Sequence, residues 1–197
     1  MKLKKWSLVV VWMITFAFIG SIGTATAFAG AKQSNADSHD QGKTAVEWYN
    51  EGVGYHDRYL YDRAIQAYTK ALELDNQATD AYFNRAHAYA EKKNYAAAVK
   101  DFQQVIKLAP EEIDAYYNIG VVYDDQELYD QALVYYNKTI AMDAQYYDAY
   151  YNKAIALENL GRTAEAKAAY AAFIQYAPAN DVDLPIAKER MQILSRS

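Results

Sequence analysis

At 197 residues, 52% of them apolar, the chain is long enough for one packed body with accessory segments. It holds no cysteine, which excludes disulfides, thiolate metal sites and cysteine nucleophiles. The formal charge of -5 understates the acidity of the body: without Lys2, Lys4 and Lys5, which precede the first acid, 17 cationic side chains face 25 acidic ones, a balance of -8 that argues against nucleic acid and anionic membrane surfaces.

In chain order, residues 1–29 carry a targeting pattern rather than part of the fold. Met1 to Lys5 form a basic n-region, Leu8 to Ile19 an apolar run, and Ala27-Phe28-Ala29 an A-x-A cleavage signal before Gly30. This predicts a secretory signal peptide. The alternative is an uncleaved N-terminal anchor, because no charge occurs between Lys5 and Lys32 and that length can span a bilayer. Either reading predicts an exported body, periplasmic or extracellular, with an inner-membrane anchor as the variant. Residues 30–44 are polar, with almost nothing to bury, and predict a flexible tether. Thr44, with Glu47 three residues on, predicts a capping box at the first helix.

From residue 45 to residue 180 one 34-residue unit is written four times without a gap, as 45–78, 79–112, 113–146 and 147–180. A fixed period of this length predicts a solenoid. Position 4 of the unit is Trp48, Tyr82, Tyr116 and Tyr150, and position 8 is Gly52, Ala86, Gly120 and Ala154. Position 11 is Tyr55, Tyr89, Tyr123 and Leu157, and position 20 is always alanine, as Ala64, Ala98, Ala132 and Ala166. Position 24 is Tyr68, Phe102, Tyr136 and Tyr170; position 27 is Ala71, Val105, Thr139 and Phe173. Positions 4, 8 and 11 share one helix face, as do 20, 24 and 27, so two helices per unit face each other with large groups opposite small ones.

These residues resemble the tetratricopeptide repeat (TPR). The resemblance implies an all-α fold: a right-handed α-solenoid of four helix pairs. Turns fall at positions 14 to 17, Asp62 and Asp130 open second helices at the positive end of the dipole, and Pro110 and Pro178 help stop them. Leu184, Ala187, Met191 and Leu194 recur at helical spacing after Asp183, so residues 181–197 are expected to form a C-terminal capping helix and tail.

No catalytic constellation is spelled out. His39, His56 and His87 are dispersed, there is no serine elbow or glycine-rich phosphate loop, and acid pairs such as Asp124-Asp125 lack the ligand pattern of a calcium loop. The chain is therefore expected to be no enzyme, with no metal and no cofactor. In TPR arrays the first helices line a concave groove. By that resemblance the groove stripe of this chain comprises positions 2, 5, 6, 9, 12 and 13.

Position 6 is asparagine in every repeat, Asn50, Asn84, Asn118 and Asn152, a ladder whose amides suit the backbone of an extended peptide. The alternative is that these amides bridge neighbouring repeats. Beside them runs an aromatic row at position 5, Tyr49, Phe83, Tyr117 and Tyr151, readable as anchors for peptide or glycan or as packing between repeats. Asp80, Asp114 and Asp148 at position 2, and acids at positions 12 and 13, surround a floor of Val53, His87, Val121 and Ile155. An acidic rim favours a partner segment carrying Lys or Arg. Arg85 and Lys153, at position 7, are expected to pack their stems and keep their heads in water.

The function expected is a binding adaptor or scaffold in the bacterial envelope that captures an extended peptide along the groove. Self-assembly, motivated by Tyr135 and Tyr146 outside the core positions, and glycan binding are the alternatives.

Overall fold

The computed structural model describes residues 42–196; the expected leader and most of the tether lie outside the described residues. From Lys43 the chain forms one unit. Among the described residues there are nine α-helices and no strand: α1 (Ala45–His56), α2 (Tyr61–Leu74), α3 (Thr79–Glu91), α4 (Tyr95–Leu108), α5 (Ile113–Asp125), α6 (Tyr129–Met142), α7 (Tyr147–Asn159), α8 (Thr163–Tyr176) and α9 (Leu184–Leu194). Each 34-residue window holds one pair. Within a pair the two helices pack on each other, each second helix then packs on the next first helix, and α9 packs on α8. This is the predicted all-α TPR solenoid with a terminal helix.

Local chemistry sets the ends. The Thr44 hydroxyl accepts from the Glu47 amide at 3.2 Å, while the Glu47 carboxylate accepts from the Thr44 amide at 2.8 Å, which closes the capping box. Every first helix stops in the same way. The N–H at position 16 reaches back five residues, as Leu60 to Tyr55, Asn94 to Tyr89, Leu128 to Tyr123 and Arg162 to Leu157, at 2.8–3.0 Å. That bond is the long one of a Schellman turn, and it requires a left-handed residue just before it. Position 15 supplies it with φ of 59° at Tyr59, 59° at Lys93, 63° at Glu127 and 71° at Gly161. Only the last is the residue such a φ favours.

The core follows the repeat pattern. The four position-20 alanines are fully buried, and the position-24 rings are 0–2% exposed. Gly52 and Gly120 are glycine because a Cβ there would lie 2.5 Å from the Tyr68 ring and 2.6 Å from the Tyr136 ring. Positions 3 and 10 also pack, with Ala81, Ala115, Ala149, Ala88 and Ala156 all fully buried. The terminal helix buries Leu184 and Ala187 against repeat 4, with Met191 and Leu194 part-covered beside them. Its outer side carries exposed Lys188, Glu189 and Gln192.

Candidate functional site

The asparagine ladder is not uniform. Asn84 Nδ2 donates to the Tyr49 hydroxyl at 2.8 Å, and Asn152 Nδ2 donates to the Tyr117 hydroxyl at 2.8 Å. Each bond joins position 6 of one repeat to position 5 of the repeat before. The same bond cannot form at the middle junction, because position 5 of repeat 2 is Phe83 and has no hydroxyl. Asn118 turns instead to the Asp114 carbonyl of its own helix at 2.7 Å. Asn50 has no repeat before it and is exposed. Two of the four amides thus bridge repeats, each keeping its carbonyl oxygen for other partners.

The aromatic row lies against the second helices. Tyr49, Phe83, Tyr117 and Tyr151 each approach the position-24 ring of their own repeat, with centroids 5.9, 5.4, 6.1 and 6.1 Å apart. Tyr151 is 5% exposed, while the other three are half-buried. Burial raises the phenol pKa values of Tyr49 and Tyr117, opposed in each by the asparagine hydrogen bond that favours the phenolate. Hence these tyrosines are neutral hydrogen-bond partners at ordinary pH.

The acidic side chains differ in what they already hold. Asp57 and Asp80 are exposed. Asp114 accepts from the Tyr146 hydroxyl at 2.7 Å, and Asp148 is half-buried and engaged within the chain. His87 sits edge-on between Phe83, 4.9 Å away, and Phe102, 5.2 Å away. Burial pushes its imidazole down to about 4, with the His56 charge adding to the drop and Asp114 opposing it. Burial also lowers His56, against Glu91 and Asp57. Both imidazoles are therefore uncharged at neutral pH, and the charge on this face is carboxylate.

Two expectations are corrected. The Arg85 head is not in water: it donates to Asp101 through Nε at 2.7 Å and Nη2 at 2.9 Å, and to the Thr69 hydroxyl through Nη1 at 3.0 Å. Its guanidinium lies 5.5 and 5.9 Å from the Tyr82 and Tyr89 ring centroids, and Asp101 is 4% exposed. Lys153 is half-buried, and burial lowers its pKa. Tyr135 and Tyr146 are not spare surface rings. Tyr146 holds Asp114 and packs 5.0 Å from Tyr117, and Tyr135 packs 5.6 Å from Tyr123.

One cluster escaped the sequence. Arg190 of α9 donates through Nε to Glu158 Oε1 at 3.1 Å and through Nη2 to Oε2, and burial together with the Glu158 charge raises the pKa of the Tyr170 phenol nearby. Glu158 is one of the position-12 acids of the expected rim, and its partner Arg190 comes from the terminal helix. Their separation of 32 residues, close to one repeat, was the available signal.

Elsewhere, an open hollow of about 350 Å³ lies at the turn of repeat 1, lined by Tyr59, Leu60, Tyr61, Asp62, Arg63 and Lys92. None of the predicted site residues lines it. Among the described residues no group of three or more His, Cys, Asp or Glu could hold a metal ion, and no helix is long and apolar enough to cross a membrane.

Comparisons with known proteins agree with this geometry. Models of the tetratricopeptide repeat match residues 79–112 and 113–146, and further TPR models match residues 55–93 and 135–168. No curated protein is matched. Among solved structures, one crystal structure of MamA is similar at 28% identity, covering 72% of this chain and 75% of that one, with a TM-score of 0.64. A second MamA structure is 26% identical over 84% of this chain and 86% of that one, with a TM-score of 0.61. YrrB, a TPR protein with an unusual peptide-binding site, shares the fold at 24% identity over 83% and 81% of the two chains, with a TM-score of 0.63. TPR proteins are generally non-catalytic protein-interaction modules, and these matches support a protein-interaction scaffold. With TPR models spanning residues 55–168 and four helix pairs at the matching period, the chain belongs to the tetratricopeptide repeat family.

Proposed function

We propose that this chain is an adaptor of the bacterial envelope, exported by its N-terminal segment, that captures an extended peptide along its first-helix face. The observation that carries this reading is the charge state of that face. Asp57, Asp80 and Asp114 are exposed while the neighbouring imidazoles are held neutral, so at neutral pH the face attracts a segment bearing Lys or Arg. Asn50 and the carbonyl oxygens of Asn84 and Asn152 supply backbone contacts of about 1 kcal/mol each, which makes capture weak and tolerant of sequence.

A selection from a random peptide display library, made with the full chain, tests it. Enrichment of Lys and Arg is expected, with binding falling about tenfold in Asn50→Ala/Asp80→Ala while thermal melting stays unchanged. Both side chains are exposed and outside the packing described above. Binders without basic enrichment, or binders indifferent to the double variant, refute the groove.

A second reading is end-to-end self-assembly. Val46 at the first helix is 67% exposed, while Val182 and Ile193 at the far end are 79% and 44% exposed. Sedimentation over a wide concentration range that shows a strict monomer removes it.

A further inference from the structure

The hollow at the turn of repeat 1 lies off the groove stripe. It is built from positions 15 to 19 of the unit, with Lys92 reaching it from the turn of repeat 2. Its volume of about 350 Å³ falls in the range of small-molecule sites, roughly 300–1,000 Å³. Two rings and an aliphatic side chain form its apolar wall. Tyr59 is 69% exposed and meets Tyr61 edge-on, with centroids 6.3 Å apart, so the outer ring turns a face to solvent; Leu60 between them is 41% exposed.

The charged groups of the lining are one carboxylate and two cations. Lys92 pairs with Asp62, both at the surface, an ion pair of the kind that holds weakly and rearranges readily. Arg63 is exposed and has no ion-pair partner among the described residues; its guanidinium lies 5.7 Å from the Tyr55 ring centroid. On a body of net negative charge, the hollow is therefore a cationic spot beside an open aromatic face. No other turn combines these parts. Repeat 3 has Glu127, Leu128, Tyr129, Asp130 and Gln131 at the same positions, which keeps the inner ring and the acid but loses the outer ring and the cation. Repeats 2 and 4 place Lys93 and Gly161 where Tyr59 stands, and Ala97 and Glu165 where Arg63 stands.

We propose that this hollow binds one ring of an acidic sugar, with the C–H side of the pyranose on Tyr59 and Leu60, its carboxylate on Arg63, and its hydroxyls on Asp62 and Lys92. A pyranose turns a patch of C–H groups to one side, and the negative face of an aromatic ring attracts such a patch. Around its edge it carries hydroxyls, which donate to a carboxylate and accept from an ammonium. A planar guanidinium takes a carboxylate through two parallel N–H bonds. An extended peptide needs partners for its amides, and the lining holds no Asn, Gln, Ser or Thr side chain to provide them. The site stands apart from the first-helix face, so a chain with both joins a captured peptide to an acidic glycan.

The test titrates the full chain, labelled with nitrogen-15, with methyl β-D-glucuronide, with its neutral counterpart methyl β-D-glucoside, and with the blocked dipeptide acetyl-Glu-Tyr-amide. The glucuronide is expected to bind with a dissociation constant of about 1 mM, as suits one ring in an open hollow, and to shift the amide resonances of residues 59–63 and Lys92. The glucoside should bind about tenfold more weakly. Arg63→Gln should bring the two glycosides level. Tyr59→Gly should remove binding of both, and because it relieves a left-handed φ of 59° it should melt no lower than the parent, so the loss does not come from unfolding. No shifts with the glucuronide, equal binding of the two glycosides by the parent, shifts confined to other parts of the chain, or unaltered glucuronide binding in Tyr59→Gly would each overturn the site. Tighter binding of the dipeptide than of the glucuronide overturns the sugar and makes the hollow a second peptide site. Neither substituted residue belongs to the groove stripe, so this titration judges the hollow and the library selection judges the groove.

Discussion

The left-handed turns give a quantitative prediction. Tyr59, Lys93 and Glu127 hold φ values of 59°, 59° and 63° at a position where repeat 4 has Gly161. A non-glycine residue in this region costs about 1–2 kcal/mol. Glycine removes that strain but returns about 0.5–1 kcal/mol through the freedom it adds to the unfolded chain. Each substitution by glycine should therefore stabilise by roughly 0.5–1 kcal/mol. Little contact is lost at Tyr59, which is 69% exposed and meets Tyr61 only edge-on at 6.3 Å. The three turns lie in separate repeats, so their effects should add, to about 2 kcal/mol in Tyr59→Gly/Lys93→Gly/Glu127→Gly. For an array of this size that raises the melting midpoint by roughly 4–8 °C, measured by circular dichroism at 222 nm. The reverse change, Gly161→Ala, should lower it. A triple variant that melts at or below the parent, beside a silent Gly161→Ala, would refute the strain argument.

Other perturbations follow from the packing. Asp101→Ala strands the Arg85 guanidinium among Tyr82, Tyr89 and Thr69, and should lower stability by about 3–5 kcal/mol in urea titrations, with Arg85→Met/Asp101→Leu recovering much of it. Gly120→Ala places a methyl 2.6 Å from the Tyr136 ring and should cost about 1–3 kcal/mol, whereas Gly54→Ala, with nothing within 4 Å, should stabilise α1 by roughly 0.5–1 kcal/mol. Equal effects at the two glycines would contradict the packing. His87 has a folded pKa of about 4 against 6.5 for the free group, so the unfolded chain takes the proton first as pH falls. Stability should drop between pH 6.5 and about 4, by up to roughly 3 kcal/mol, and His87→Phe should remove that component of the slope. An unchanged slope would place the imidazole in contact with water.

The fold was legible because the packing rule is repeated four times, so that alanine at position 20 and an aromatic at position 24 stand out above local variation. Positions 3 and 10 were not legible, since Ala81 or Ala115 on a helix has the same spelling whether buried or exposed. At the candidate site the residues were visible but their bonding was not. Asn84 and Asn118 occupy the same position, yet one bridges repeats and the other folds back, because the hydroxyl that decides sits 35 residues earlier at position 5. Arg85 looked like a surface cation because its partner, Asp101, is on the facing helix, 16 residues away. Reading two positions together across adjacent repeats, rather than one column at a time, would have recovered these pairs.

The alternation at position 5 has a mechanical consequence. Tyr49 to Asn84 and Tyr117 to Asn152 tie repeats 1 to 2 and 3 to 4, while Phe83 leaves the central seam without that tie. The seam instead relies on the apolar cluster of Phe102, Val105, Ala115, Ile119 and Val122, and apolar contact has no preferred direction and slides where a hydrogen bond snaps. Stretched from its ends in an optical trap, the array should lengthen first at the middle, as two stiff blocks shearing past each other, before either block unravels. Phe83→Tyr, which restores a hydroxyl opposite Asn118, should raise the force of that first event.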